Sequence, residues 1–216
     1  MNDHTQKAAV RFNKWADSYG EDRIAPWFRH YQRFVISRLN ITPGDAFLDV
    51  GCGTGWAVIE ASQRLKAGKA YGMDISPKMI DKARSQSVEA PDIEFCVANA
   101  EVIPYPDETF DCIMCTCSFH HYLHPRIALE EFRRVMKSGG RLVLLDSARD
   151  VSFPIWIQDR WRRYLEKSHV CYYTTTEMKI MIEASGLHLN RGIETINKFM
   201  FHGKVFTGLM LSECVK

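Results

Sequence analysis

The chain has 216 residues, 46% of them hydrophobic, enough for one well-buried domain. Its formal net charge of +2 argues against a broad nucleic-acid-binding surface. No apolar run approaches the ~20 residues that span a bilayer, so no stable membrane insertion is expected, and the polar start Met1-Asn2-Asp3-His4-Thr5-Gln6-Lys7 lacks the apolar core of a secretion signal.

Two helical patterns open the chain, Gln6 to Asp17 and Pro26 to Leu39, the second with proline at a favourable first position. An alternation of strands and helices follows. Ala46-Phe47-Leu48-Asp49-Val50 reads as a short buried strand ending in glycines, Trp56 to Leu65 as a helix and Lys69 to Asp74 as a second strand. Ser76-Pro77 caps a helix through about Ser85. Ile93 to Val97 and Phe110 to Thr116 are the third and fourth strands. Pro125 opens a helix with Leu129, Phe132 and Met136 on one face, Gly139-Gly140 is expected to end it, and Arg141 to Asp146 forms a fifth strand. Such alternation predicts a mostly parallel sheet covered on both faces. After Asp146 an aromatic stretch runs from Phe153 to Tyr173. Thr174-Thr175-Thr176-Glu177 then matches a capping box, with Met178, Met181 and Ile182 toward the core. The tail, Thr195 to Phe201 and Val205 to Leu211 around His202-Gly203-Lys204, reads as an antiparallel hairpin. Seven cysteines, several inside apolar runs, suit reduced thiols and a cytoplasmic protein better than a disulfide framework.

The central signal is Leu48-Asp49-Val50-Gly51-Cys52-Gly53-Thr54-Gly55, a strand running into a glycine-rich turn and a helix. Glycines let the backbone approach a ligand closely, and in a sheet of this kind the ligand sits beyond the carboxyl ends of the strands. Alternate glycines alone are a weak sign, because nicotinamide and flavin enzymes use a related turn. Two features favour another cofactor: Trp56 stands where a dinucleotide fingerprint needs its third glycine, and Asp49 would repel a pyrophosphate. A carboxylate suits S-adenosylmethionine, which carries an ammonium and a sulfonium, and Asp74 at the end of the second strand can accept from two ribose hydroxyls.

Phe47 to Gly55 closely resembles motif I of class I methyltransferases, and Tyr71 to Met79 resembles their second motif. Ala98 to Asp111 resembles the adenine-side segment, and Gly139-Gly140-Arg141-Leu142 the turn before strand five. The resemblance is greatest to the type 11 subgroup, which includes ubiquinone and menaquinone biosynthesis methyltransferases. It implies an α/β, Rossmann-like, mostly parallel seven-stranded sheet with helices on both faces and an antiparallel C-terminal hairpin. It also implies a single domain over 1–216: a helical lid at 1–40, a cofactor core at 46–147, a substrate cover at 150–175 and the hairpin at 187–212. The expected cofactor residues are Asp49, Gly51, Cys52, Gly53, Gly55, Asp74, Ile75, Met79, Asn99, Ala100 and Glu101. Asn99 replaces the family's usual acid at the adenine, and its amide oxygen can still accept. Phe12 to Tyr19 resembles a segment that folds over the cofactor, making Tyr19 a lid candidate.

Methyl transfer is an in-line displacement for which the protein aligns the acceptor and excludes water. His120 and His121, after the fourth strand, are candidate general bases, although a structural role suits the pair better. No metal is expected: Pro125 follows His121-x-x-His124, no carboxylate partner is evident, and Cys112 points away from Cys115 and Cys117 across the strand. Cys117, at the strand's carboxyl end, is expected at the cofactor pocket. Trp161, Tyr172 and Tyr173 are candidates for an acceptor wall, and the alternative for their segment is a covering amphipathic helix. The acceptor itself is expected to be a small molecule. An NAD-dependent oxidoreductase and a non-catalytic S-adenosylmethionine-binding module are the competing readings.

Overall fold

A computed structural model describes residues 3–18, 24–66, 68–88, 90, 92–166, 168–196, 199–201, 204–206 and 208–216. Two helices, α1 (Asp3–Ala16) and α2 (Ala25–Arg38), precede the sheet. The alternating region forms β1 (Ala46–Val50), α3 (Trp56–Leu65), β2 (Lys69–Asp74), α4 (Pro77–Gln86), β3 (Ile93–Val97) and β4 (Phe110–Thr116). A 3-10 turn at Phe119–His121 leads to α5 (Pro125–Val135) and β5 (Met136–Ser147). The remainder comprises α6 (Phe153–Leu165), α7 (Thr175–Ala184), β6 (His188–Leu189), β7 (Glu194–Ile196), β8 (Phe199–Phe201), β9 (Lys204–Phe206) and β10 (Leu209–Val215).

The main sheet runs β3-β2-β1-β4-β5-β10-β6, with β7 also pairing to β10. The first five strands are parallel and β10 is antiparallel to β5, giving the mixed, Rossmann-like sheet with a reversed final strand. The pairs Ile196↔Leu209 and Phe199↔Phe206 share one register, so β7–β10 and β8–β9 are successive parts of the expected hairpin. Its turn residues His202 and Gly203 lie outside the described residues.

Period-two alternation builds two cores. Ile113 and Cys115 face one side with Phe132, Leu129 and Met178, whereas Cys112 and Met114 face the other with Val35, Ile36, Val58 and Ile80. Each such buried side chain contributes roughly 1.5–3 kcal/mol relative to exposure, so both faces must be covered by helices. Thr174 accepts from the Glu177 amide while Glu177 accepts from the Thr174 amide, the predicted capping box.

One boundary moves. The helix at Pro125 ends at Val135, and Gly139-Gly140 lies within β5 rather than ending the helix. Register passes from Phe110↔Met136 to Cys112↔Arg141, so the chain bulges between these pairs. Gly139 takes φ +74° there, which suits glycine.

Candidate functional site

Strand order reverses direction between β1, which leads outward to β2 and β3, and β4, which leads to β5 and β10. At that switch point the carboxyl ends of β1, β2 and β4 border one cavity. Its walls include Val50 and Gly51 at the end of β1, Asp74 and Ile75 at the end of β2, Ala98 to Glu101 after β3, and Thr116 to Ser118 at the end of β4. Helix α1 roofs it with His4, Thr5, Ala8, Phe12 and Trp15, and α2 adds Phe28 and Gln32. The roof is pinned: the Asn13 side-chain oxygen accepts from Ser76 Oγ at 2.6 Å and the Lys78 amide at 3.2 Å, and Lys82 donates to the Ala16 carbonyl at 2.9 Å.

The glycine turn has the shape its sequence demands. Gly51 has φ +79°, and a Cβ there would fall 2.4 Å from Ser118 Oγ. Gly55, also at φ +79°, begins α3, and a Cβ on it would meet the Phe95 ring at 2.6 Å.

Two carboxylates stand beside this turn in opposite states. Asp74 accepts from the Gly53 amide at 3.0 Å and the Ser76 amide at 2.8 Å. Burial nevertheless raises its carboxyl to about 6. Asp49 is fully buried, and neither of its oxygens has a hydrogen-bond partner among the described residues. Burial first, and then Asp74, pushes its carboxyl up to about 8.

Of the expected cofactor residues, Gly51, Gly53, Asp74, Ile75, Met79, Asn99, Ala100, Glu101 and Cys117 come together on the cavity wall. The Asn99 side-chain oxygen accepts from the Glu101 amide at 3.0 Å, and its second lone pair can still accept from a ligand. Asp49 lies behind Val50 and Gly51, Gly55 serves helix packing, and the Cys52 side chain turns into the core under α2. Tyr19 lies outside the described residues. Cys117 has φ +52°, so β4 ends before it.

Of the two histidines, only His121 lines the cavity. His120 is buried, and its Nδ1–H donates to Asp146 at 2.8 Å. The proposed acceptor wall takes a different form. Trp161 is 62% exposed on α6, Tyr172 is buried against His120 and His169, and Tyr173 packs edge-on to Phe119. None of the three lines the cavity: α6 turns Asp159 inward and Trp161 outward, and the two tyrosines are taken up in packing. Phe12 and Trp15, within the segment expected over the cofactor, and Ser118 and Tyr122, in the loop after β4, line the cavity but were not singled out from sequence; Phe28 at the cavity and His169 beside His120 and His121 were missed. The aromatic spacing of Phe12 and Trp15 was a usable signal; His169 gives none, being distant in the chain.

Among the described residues no helix is long and apolar enough to cross a membrane. A family described as "Methyltransferase domain" matches residues 48–144. The chain is 34% identical over 122 residues to the ubiquinone/menaquinone biosynthesis C-methyltransferase of Hahella chejuensis, covering 55% of this chain and 49% of that protein. It therefore spans about half the length of that relative. The corresponding enzyme of Burkholderia multivorans is 28% identical over 211 residues, with 86% of each chain covered. Geranyl diphosphate C-methyltransferase from Streptomyces coelicolor A3(2) superimposes with a TM-score of 0.77 at 16% identity, over 99% of this chain and 98% of that one, a likeness of fold.

Proposed function

We propose that the chain is a class I methyltransferase that binds S-adenosylmethionine under α1 and directs its methyl group to a small-molecule acceptor, a reading supported by the match of residues 48–144 to a methyltransferase domain. The observation that carries this reading is the pair of acids beside the glycine turn. A buried carboxyl without a partner keeps its proton until a ligand supplies a compensating positive charge. S-adenosylmethionine is cationic, whereas a dinucleotide pyrophosphate would be repelled, so the oxidoreductase reading fits poorly. The Streptomyces neighbour was solved with S-adenosyl-L-homocysteine, which adds support.

When bound, the cofactor supplies an electrophilic methyl carbon on sulfonium. In this chain Gly51 and Gly53 would give it backbone room, Asp49 a countercharge, and Asp74 an acceptor for sugar hydroxyls. Ile75, Met79, Asn99, Ala100 and Glu101 would surround the base, and Cys117 the reacting end. Phe12 and Trp15 exclude water from above, which holds the reactants together and strengthens the interactions of charged groups. Relatives named for ubiquinone and menaquinone biosynthesis support including quinols among the acceptors tested. The test is incubation with methyl-labelled S-adenosylmethionine and a panel of phenols, quinols, thiols and amines. Label transfer to an acceptor supports the enzyme, whereas cofactor binding without transfer to any acceptor or solvent-derived breakdown product favours the binding module.

A further inference from the structure

We propose that His120, His121 and His169 form a binding site for one divalent transition-metal ion of the zinc class. One ring nitrogen from each lies within 4.8 Å of the other two. The hydrogen bonds show which nitrogens are committed elsewhere. His120 Nδ1 is held by Asp146 at 2.8 Å, His121 Nδ1 by the Ser168 carbonyl at 2.6 Å, and His169 Nε2 by Asp159 at 2.9 Å. These acceptors fix each committed nitrogen as the N–H donor, so His120 Nε2, His121 Nε2 and His169 Nδ1 carry lone pairs.

A second, independent observation marks a ligand. The side chain of His169 is 0% exposed, and its Nδ1 is buried with no hydrogen-bond partner. A buried acceptor left unpaired is destabilising, and a metal bond removes that cost. The backing is also what metal-bound histidines use: a carboxylate or carbonyl on the far ring nitrogen orients the imidazole and raises its basicity. Asp146 and Asp159 supply two negative charges behind the cluster. Arg11 and Arg162 lie near enough to oppose a cation, but both are paired with Glu166. Three neutral nitrogens suit zinc or its neighbours rather than magnesium or calcium. Nitrogens on a tetrahedral zinc stand about 3.3 Å apart for Zn–N bonds of ~2.0–2.1 Å, so the rings need only close inward. His121 borders the cavity. Such an ion would take the His121 nitrogen that a general base requires, so the two roles exclude one another. The inference does not depend on methyl transfer.

The experiment uses untagged, chelator-dialysed protein titrated with zinc chloride by calorimetry and with cobalt chloride by visible absorption. One zinc per chain is expected at micromolar affinity or tighter, with cobalt bands of low-symmetry tetrahedral or five-coordinate type. His169→Gln should weaken zinc at least tenfold, Asp159→Asn by about tenfold, and His188→Ala, on an exposed histidine, not at all. Circular dichroism checks that each variant is folded; should His169→Gln not fold, Asp159→Asn and His121→Gln decide. No zinc uptake by the wild type, or uptake unchanged in the folded variants, overturns the proposal.

Discussion

Asp49 and Asp74 sit at the carboxyl ends of the neighbouring parallel strands β1 and β2, yet Asp74 is satisfied by two backbone amides while Asp49 has no hydrogen-bond partner among the described residues. The difference follows from the chain. The turn after β2 folds the Ser76 amide back onto Asp74, and Gly53 reaches across to it, but nothing reaches behind Val50. Burial therefore keeps Asp49 protonated near neutral pH, and its ionisation depends on what occupies the cavity.

This predicts a pH dependence. The folded carboxyl of Asp49, at about 8, lies above its value in an unfolded chain, so the native state holds the extra proton between about 4 and 8. Stability without ligand therefore falls as pH rises through that window. A cationic ligand prefers the ionised form, so S-adenosyl-L-homocysteine, whose amino group is charged, should bind more tightly from pH 6 to 8 by up to tenfold per unit. Calorimetry in buffers of different ionisation enthalpy should show proton release on binding. Flat affinity would show that Asp49 does not meet the ligand's charge.

Asp49→Asn separates stability from binding. At pH 8 the variant should melt no lower than the wild type, because a buried charge has been removed. It should bind S-adenosyl-L-homocysteine at least about tenfold more weakly. Weakened folding with unchanged affinity would reverse the assignment.

Asp74→Ala should weaken the same ligand by about 1–3 kcal/mol, through lost charge-assisted hydrogen bonds. It should also lower the melting temperature, since the Gly53 and Ser76 amides lose their acceptor. An unchanged dissociation constant would place the sugar elsewhere.

Gly51→Ala should destabilise the fold by about 1–3 kcal/mol, measured by urea unfolding. The added methyl meets Ser118 Oγ at 2.4 Å and Ser118 Cβ at 2.6 Å. Ser118→Ala in the same chain should therefore fail to restore stability, because the Cβ collision and the positive φ both remain.

The sheet was readable from sequence because each element carries its own period and punctuation. Ser76-Pro77 and Thr174 to Glu177 set helix starts, and the strand alternation placed Cys112 opposite Cys115. The glycine turn and its acids were readable for the same reason, being contiguous. The bulge in β5 was not, since glycine pairs end helices more often than they interrupt strands. Nor was the orientation of α6: both faces of that helix are rich in aromatic or charged residues, and only the pairing of Asp159 with His169 and Arg163 shows which turns inward. The histidine cluster was hidden because His169 reaches His120 from another segment, and its carboxylate backing comes from two more.

The central claim is cofactor identity, and equilibrium titration of the purified chain with S-adenosyl-L-homocysteine, with NAD in parallel, tests it most directly. The account predicts saturable 1:1 binding of S-adenosyl-L-homocysteine and no response to NAD. Saturable binding of NAD with none of S-adenosyl-L-homocysteine would contradict it.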